Sequence, residues 1–256
     1  MYRSRVIPCL LLKDEGLYKT IKFKKPRYLG DPINTLKLFN DKEADEIVVL
    51  DISSSINGKG PNFDYIKRLT RECFMPMCYG GGVTTIEQVE ALYKLGVEKV
   101  AFNTSLFTNP KLITDVAKNF GSQSVVASID VKKSLFGSYS VYVMSGTKDT
   151  KCNPVTYAKR AEELGAGEIF INSIDKDGMM NGYDYDLIEN VSSAVNIPVV
   201  AIGGAGNLSD CVKAVNIGAS AAGAGSLFVY YGVLKAVLIN YPTQDELSIA
   251  FKGDNS

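Results

Sequence analysis

The chain contains no histidine. That absence removes the imidazole general base, the Ser-His-Asp and Cys-His pairs and every His-ligated zinc site. Acid–base work must fall to Asp, Glu, Lys, Tyr or Cys. Neither sign of charge is in excess, since 28 Lys and Arg balance 28 Asp and Glu. The net charge therefore gives no reason to expect a nucleic-acid or membrane-surface partner. The five cysteines (Cys9, Cys73, Cys78, Cys152 and Cys211) include no CxxC pair. Their odd number in a long chain argues against a disulfide framework. Cys9, Cys73 and Cys78 lie among apolar residues, where cysteine acts as a small buried hydrophobe. There is no long apolar run and no signal peptide, so the expected location is the cytoplasm.

What is present is a rhythm. The 256 residues, 46% hydrophobic and 22% charged, suit one large α/β domain. Short apolar runs occur at Arg5–Leu12, Glu46–Ile52, Met75–Tyr79, Lys99–Asn103, Ser124–Asp130, Glu168–Asn172, Pro198–Ile202 and Ala219–Ala222. Each is apolar throughout, as parallel strands covered on both faces are. Amphipathic stretches separate them, from Asp31–Asn40 through to Leu208–Ile217 and Leu227–Ile239. Thr85 and Asn207 read as helix N-caps, with Glu87 and Asp210 in the first turn; Gly96 and Gly165 read as C-caps. Eight βα units predict a single (βα)8 TIM barrel over residues 1–256, with an open doubly wound sheet as the alternative.

An internal repeat supports closure. The run from Asp45 to Asp51 matches that from Gly167 to Ser173. Tyr79-Gly80-Gly81-Gly82 matches Ile202-Gly203-Gly204-Ala205, and the run from Val100 to Phe107 matches that from Ala222 to Phe228. Offsets of about half the chain imply two half-barrels, each with a copy of one site. Two segments break the rhythm. Lys13–Gly30 is a long, Lys-rich stretch, read as a loop that serves either as a lid or as solvated surface. Within Lys132–Thr150, the alternation of Ser138–Met144 reads as a small hairpin. The polar tail after Tyr241 is expected to fray.

In such a barrel, function sits at the C-terminal ends of strands. Gly80-Gly81-Gly82 and Gly203-Gly204-Ala205-Gly206 follow the third and seventh runs, and Asn103-Thr104 and Gly225-Ser226 the fourth and eighth. Glycine lets backbone N–H groups approach an anion, and a helix start adds a favourable dipole. One cradle per half suits a ligand with a phosphate at each end. Asp177-Gly178 borders the second cradle. Asp51, Asp130 and Asp175 stand at strand ends, and Asp130 is the candidate for acid–base work. Its counterpart at the end of the first strand is Leu11. At the opposite ends lie Arg5, Glu46, Lys99 and Glu168. These are either solvated rim charges or, pointing inward, an alternating ring across an axial passage.

Together, Ile7-Pro8-Cys9-Leu10, Leu50-Asp51-Ile52, Tyr79-Gly80-Gly81-Gly82, Asn103-Thr104, the run from Ser173 to Gly178 and Gly203-Gly204-Ala205-Gly206 resemble the cyclase subunit of imidazole glycerol phosphate synthase, in register over nearly the whole chain. The resemblance implies a (βα)8 barrel that receives ammonia from a glutaminase subunit on its N-terminal face and passes it along the axis. The substrate it implies is a two-phosphate ribulosyl compound. It implies that Gly82, Asn103 and Thr104 bind one phosphate, and Asp177, Gly178, Gly203, Gly204, Gly225 and Ser226 the other. It further implies that Arg5, Glu46, Lys99 and Glu168 form an ammonia gate and that Lys19 is a substrate-loop lysine. No cofactor and no metal is expected.

One position departs from the family pattern. The family uses an aspartate at the end of strand one beside that of strand five. Asp130 matches the second, and Leu11 stands at the first. The isomerase of the same pathway needs a strand-one aspartate too, so Leu11 argues against it equally. Three readings remain. The chain is a paralogue that delivers ammonia to another acceptor, such as a sugar amidotransferase converting an acetamido sugar in surface-polysaccharide synthesis. Alternatively it is a working cyclase with Asp51 or Asp14 as substitute acid, or a non-catalytic scaffold that activates its glutaminase.

Overall fold

The computed structural model describes residues 3–252. Eight parallel strands close into a barrel: β1 (Arg5–Lys13), β2 (Ile47–Asp51), β3 (Met77–Gly80), β4 (Lys99–Phe102), β5 (Val125–Lys133), β6 (Glu168–Ser173), β7 (Val199–Ile202) and β8 (Ala221–Ala224). Each pairs with its sequence neighbour, and β1 pairs with β8 through Arg5↔Ala221 to Pro8↔Ala224. The open-sheet alternative is thereby excluded. Alternation along the strands divides the side chains. Ile7 and Cys9 point inward and pack with Val48, Cys78, Ala101, Val126, Phe170, Val200 and Ala221. Val6, Leu10 and Leu12 belong to the outer cluster beneath the helices. Burial of both faces is why the strands read as continuous apolar runs.

Around the barrel lie α1 (Pro32–Asp41), α2 (Phe63–Arg71), α3 (Ile86–Lys94), α4 (Pro110–Phe120), α5 (Pro154–Glu163), α6 (Tyr185–Ser192), α7 (Leu208–Asn216) and α8 (Gln244–Lys252). The half-barrel repeat is visible in the caps. Thr85 opens α3 and Asn207 opens α7, each in a reciprocal capping box. The partner of Thr85 is Gln88, not Glu87, because only the third helical position can reach back to the cap N–H. Short helices Thr104–Thr108 and Ser226–Val229 follow β4 and β8. They start from residues of nearly equal backbone angles, Asn103 (φ −113°, ψ −73°) and Gly225 (φ −104°, ψ −69°).

Three stretches differ from the sequence expectation. Lys13–Gly30 is not an irregular loop: Gly16–Ile21 pairs antiparallel with β1 and with Lys24–Gly30. Leu227–Ile239 is not a helix. After Val229 the chain extends, with Tyr230–Tyr231 pairing Ala236–Val237 around Gly232 (φ +69°). The aromatic Tyr230 and Tyr231 and the β-branched Val233 around that glycine favour extended chain over a helix. The tail does not fray at Tyr241, whose hydroxyl donates to Val6 O at 2.7 Å, and α8 follows with Leu247 fully buried. Residues 253–256 of that tail lie outside the described residues. The hairpin after β5 forms as expected, with Tyr139–Val143 pairing the end of β5. Cys9 and Cys78 are buried, Cys73 only partly so, and all five cysteines are free thiols. Among the described residues, no helix is long and apolar enough to cross a membrane.

Candidate functional site

A cavity of about 470 Å³ opens at the C-terminal ends of the strands and is lined by residues of both halves. On its first side, the turn after β3 meets the start of helix Thr104–Thr108. Gly82 has φ +69°, and a Cβ there would lie 2.8 Å from Ser54 Cβ. Its N–H donates to Ser55 Oγ at 3.2 Å. Thr104 Oγ1 accepts from Met144 N at 3.1 Å, which ties the cradle to the β5 hairpin. On the other side, Gly204 (φ +125°) lies so close to the β6–α6 loop that a Cβ would fall 2.3 Å from Gly182 O. Gly203, Gly178, Gly225 and Ser226 line the same cavity. The Ser226 hydroxyl is buried and has no hydrogen-bond partner among the described residues. A buried orphan hydroxyl at a ligand cavity calls for a polar ligand atom.

Two expected phosphate ligands are placed differently from the sequence reading. The Asp177 carboxylate accepts from Lys19 Nζ (2.5 Å), Thr20 Oγ1 (2.6 Å) and Phe23 N (3.3 Å), and its own N–H donates to Ser173 O. An occupied carboxylate repels an anion, so the contribution of Asp177 is to hold Lys19. That lysine is only 7% exposed, and its Cε lies 3.0 Å from where a Gly225 Cβ would sit. It is a buried cation beside the Gly225 turn. Asn103 turns its amide away from an incoming anion: Nδ2 donates to Ser128 O (3.0 Å) and Asp130 Oδ2 (3.2 Å).

Asp130 sits at the cavity floor, buried, between Asn103 and Asn172; Asn172 Nδ2 donates to its other oxygen at 3.1 Å. Burial pushes its carboxyl up to about 7, against the opposing hydrogen bond from Asn172. A group poised near neutrality can both give and take a proton. Asn172 is the residue that sequence reasoning missed. It pairs with Asp130 across β5 and β6, and in the internal repeat it stands opposite the apolar Leu50. A polar residue at the matching position of an otherwise apolar strand was the available signal.

The raised Asp130 has a consequence for stability. The folded chain keeps this proton to higher pH than the unfolded chain, whose value is near 3.8. Stability is therefore expected to fall as pH rises from about 4 to about 7, by about 4 kcal/mol at 1.36 kcal/mol per unit. Asp130→Asn should remove this slope, so its stabilisation over wild type grows between pH 5 and pH 8. Urea melts at both pH values check it; an equal difference at both would refute it.

Across the barrel, Leu11, two residues before the end of β1, is half-buried, in register with Leu50, and lines the cavity with no ionisable group. Asp51 is committed elsewhere. Its two oxygens accept from the N–H and hydroxyl of both Ser53 and Ser54, at 2.5–3.0 Å. Asp175 accepts from Lys133 N at 2.9 Å and anchors the hairpin after β5. Asp14 is exposed at the rim of the cavity.

At the N-terminal end, Arg5, Glu46, Lys99 and Glu168 meet. Lys99 Nζ lies 2.9 Å from both Glu46 Oε1 and Glu168 Oε2, and Arg5 bonds both carboxylates as well. The result is a closed ring of alternating charge. Burial opposes the cations, yet the carboxylates of Glu168 and Glu46 more than reverse this and raise both Arg5 and Lys99. Between ring and cavity the axis is lined by the apolar inner cluster.

A half-barrel-repeat (βα)8 protein with an ion-pair ring at one end of its axis and a buried acid between two glycine turns at the other is the class these features define. The chain belongs to the histidine biosynthesis protein family, whose description matches residues 5–235. It is 51% identical over 250 residues, 97% of this chain and all of the relative, to a Pseudomonas aeruginosa protein provisionally named imidazole glycerol phosphate synthase subunit hisF2. A Leptospira interrogans protein, with the provisional name of subunit HisF, is 47% identical over 98% of this chain and all of its own length. Imidazole glycerol phosphate synthase subunit HisF of Alkaliphilus metalliredigens is 43% identical over 90% of this chain and 92% of its own.

Proposed function

We propose that this chain pairs with a glutaminase subunit at its N-terminal face and conducts ammonia along the barrel axis to an acceptor other than the ribulosyl substrate. The acceptor reaction is the amidation of an acetamido sugar, catalysed by a sugar amidotransferase in lipopolysaccharide or surface-polysaccharide synthesis. The two cradles hold a phosphorylated small molecule or free phosphate, with Lys19 as the cation of the second. The observation that carries the reading is a divided site. The ion-pair ring and apolar axis are intact, while the cavity has Asp130 on one side and Leu11 on the other, and Asp51 is fully engaged. Leucine cannot move a proton, and one member of an acid–base pair contributes about 10²–10⁴-fold in rate.

The test is the ammonia-dependent cyclase assay on the purified chain, with ammonium salt and the two-phosphate ribulosyl substrate. Turnover is expected at least about 100-fold below that of a HisF subunit assayed beside it. The chain should also fail to restore growth to a cyclase-deficient strain that requires histidine. Normal turnover and growth would instead establish a working cyclase. One observation favours that second reading, namely that Asp14 reaches the cavity rim.

A further inference from the structure

Two buried polar atoms that line the cavity have no hydrogen-bond partner among the described residues, Asn172 Oδ1 and Ser226 Oγ. Their residues are only 8% and 5% exposed, so water cannot freely replace the missing partners. Each atom therefore calls for a ligand atom. The two have different needs. The Asn172 amide is oriented by its neighbour: Nδ2 donates to Asp130 Oδ1 at 3.1 Å, while Asn103 Nδ2 takes the other carboxylate oxygen. What remains is Asn172 Oδ1, which can only accept. The turn after β7 keeps that oxygen uncovered, since a Cβ on Gly203 (φ +86°) would fall 2.5 Å from it. A neutral amide oxygen beside Asp130 disfavours an anion and suits an uncharged donor such as a hydroxyl. The Ser226 hydroxyl follows Gly225, where Lys19 Cε lies 3.0 Å from the position of a Cβ. A hydroxyl beside a cation suits an anionic oxygen.

Strand order fixes how far apart these two requirements lie. Asn172 pairs with Ile202 of β7, and Ile202 with Gly223 of β8. Asn172 and Ser226 therefore stand at the mouth ends of β6 and β8, with one strand between them. At about 4.8 Å per strand, the separation along the sheet is about 10 Å. Hydrogen bonds of about 2.8 Å at each end leave about 4 Å between the two ligand oxygens. Inorganic phosphate or sulfate is too compact to meet both. A phosphomonoester with a hydroxyl group on the second or third carbon of its chain spans the gap. Its anion then lies at Ser226 and Lys19, and its hydroxyl at Asn172.

We propose that Asn172 is a specificity-determining residue of the second cradle, accepting a hydrogen bond from a hydroxyl group on the carbon chain of a bound phosphomonoester. The inference rests on the reading that the cradles hold a phosphorylated small molecule. The test is calorimetric titration of the purified chain with sn-glycerol 3-phosphate, n-propyl phosphate and inorganic phosphate. The two esters share the phosphate and the carbon chain and differ only in hydroxyl groups. Wild type should bind the glycerol ester at least about tenfold more tightly than the propyl ester, which leaves a buried acceptor unpaired. Asn172→Leu, checked for folding by circular dichroism, should bring the two affinities within about twofold of each other. Asn172→Asp, isosteric and still an acceptor, should retain the preference while its added carboxyl weakens both esters. Equal affinities in wild type would overturn the proposal whatever the variants do. So would a preference that survives in Asn172→Leu, or binding of inorganic phosphate but of neither ester, which would assign the cradle to the free anion. A wild-type chain that binds none of the three would instead refute the phosphorylated-ligand reading itself.

Discussion

Leu11→Asp is expected to raise ammonia-dependent cyclisation of the ribulosyl substrate by about 10²–10⁴-fold, the usual contribution of one acid–base group. The remaining parts are in place for it. Asp130 is buried and poised near neutrality, Asn103 and Asn172 hold it, and Lys19 and the two glycine turns flank the cavity. Leu11 is half-buried near the end of β1 at the cavity wall, so a carboxylate there would be partly hydrated and carry a small desolvation cost. Side-by-side assays of wild type and variant, with circular dichroism to confirm folding, give the answer. A folded variant with no gain would mean that the cavity has diverged at further positions, and the reading of a single missing acid would be lost.

The second large effect is expected at the other end of the axis. Lys99→Ala leaves Glu46 and Glu168, whose side chains are 3% and 6% exposed, sharing Arg5 alone. Breaking a buried pair on one side costs about 3–5 kcal/mol when the partner is left uncompensated. Arg5 remains as counter-charge and is one-third exposed, so about 2–4 kcal/mol is the expected loss in urea melts. The functional effect is separate from the stability effect. In the complex with glutaminase, glutamine-driven nitrogen transfer should fall while transfer from ammonium salt persists, because under the proposed delivery only the former crosses the ring. If both are unchanged, the ring is structural and the scaffold reading gains.

Much of the site was legible because a (βα)8 barrel converts strand order into spatial order. Arg5, Glu46, Lys99 and Glu168 each sit at or just before the start of a strand, and parallel pairing brings strand starts together. The duplicated glycine turns and caps were readable for the same reason: equal local chemistry in the two halves gives equal local structure. Where local preference was weak, the sequence misled. The stretch after Val229 has a helical spacing of apolar residues, yet β-branched and aromatic residues beside Gly232 tip it into a hairpin. The long Lys-rich stretch after β1 became two strands because the end of β1 offered an edge to pair with.

The sequence by itself determined the eight βα units, their two-fold repeat, the charged residues at the strand starts and the absence of an ionisable group at Leu11. These depend on residue type and on position along strands whose alternation allows only inward or outward placement. Only the tertiary structure decided which of the other polar groups were free. Asp51 is consumed by Ser53 and Ser54, Asp177 by Lys19 and Thr20, and Asn103 by Asp130, whereas the Ser226 hydroxyl has no partner among the described residues. A side chain's identity sets what it can bond, but its partners often come from distant segments, and desolvation makes most buried polar groups take one. The readiness of Asp130 to hold a proton near neutrality is of the same kind. It arises from burial at the barrel mouth, which no stretch of sequence around residue 130 expresses.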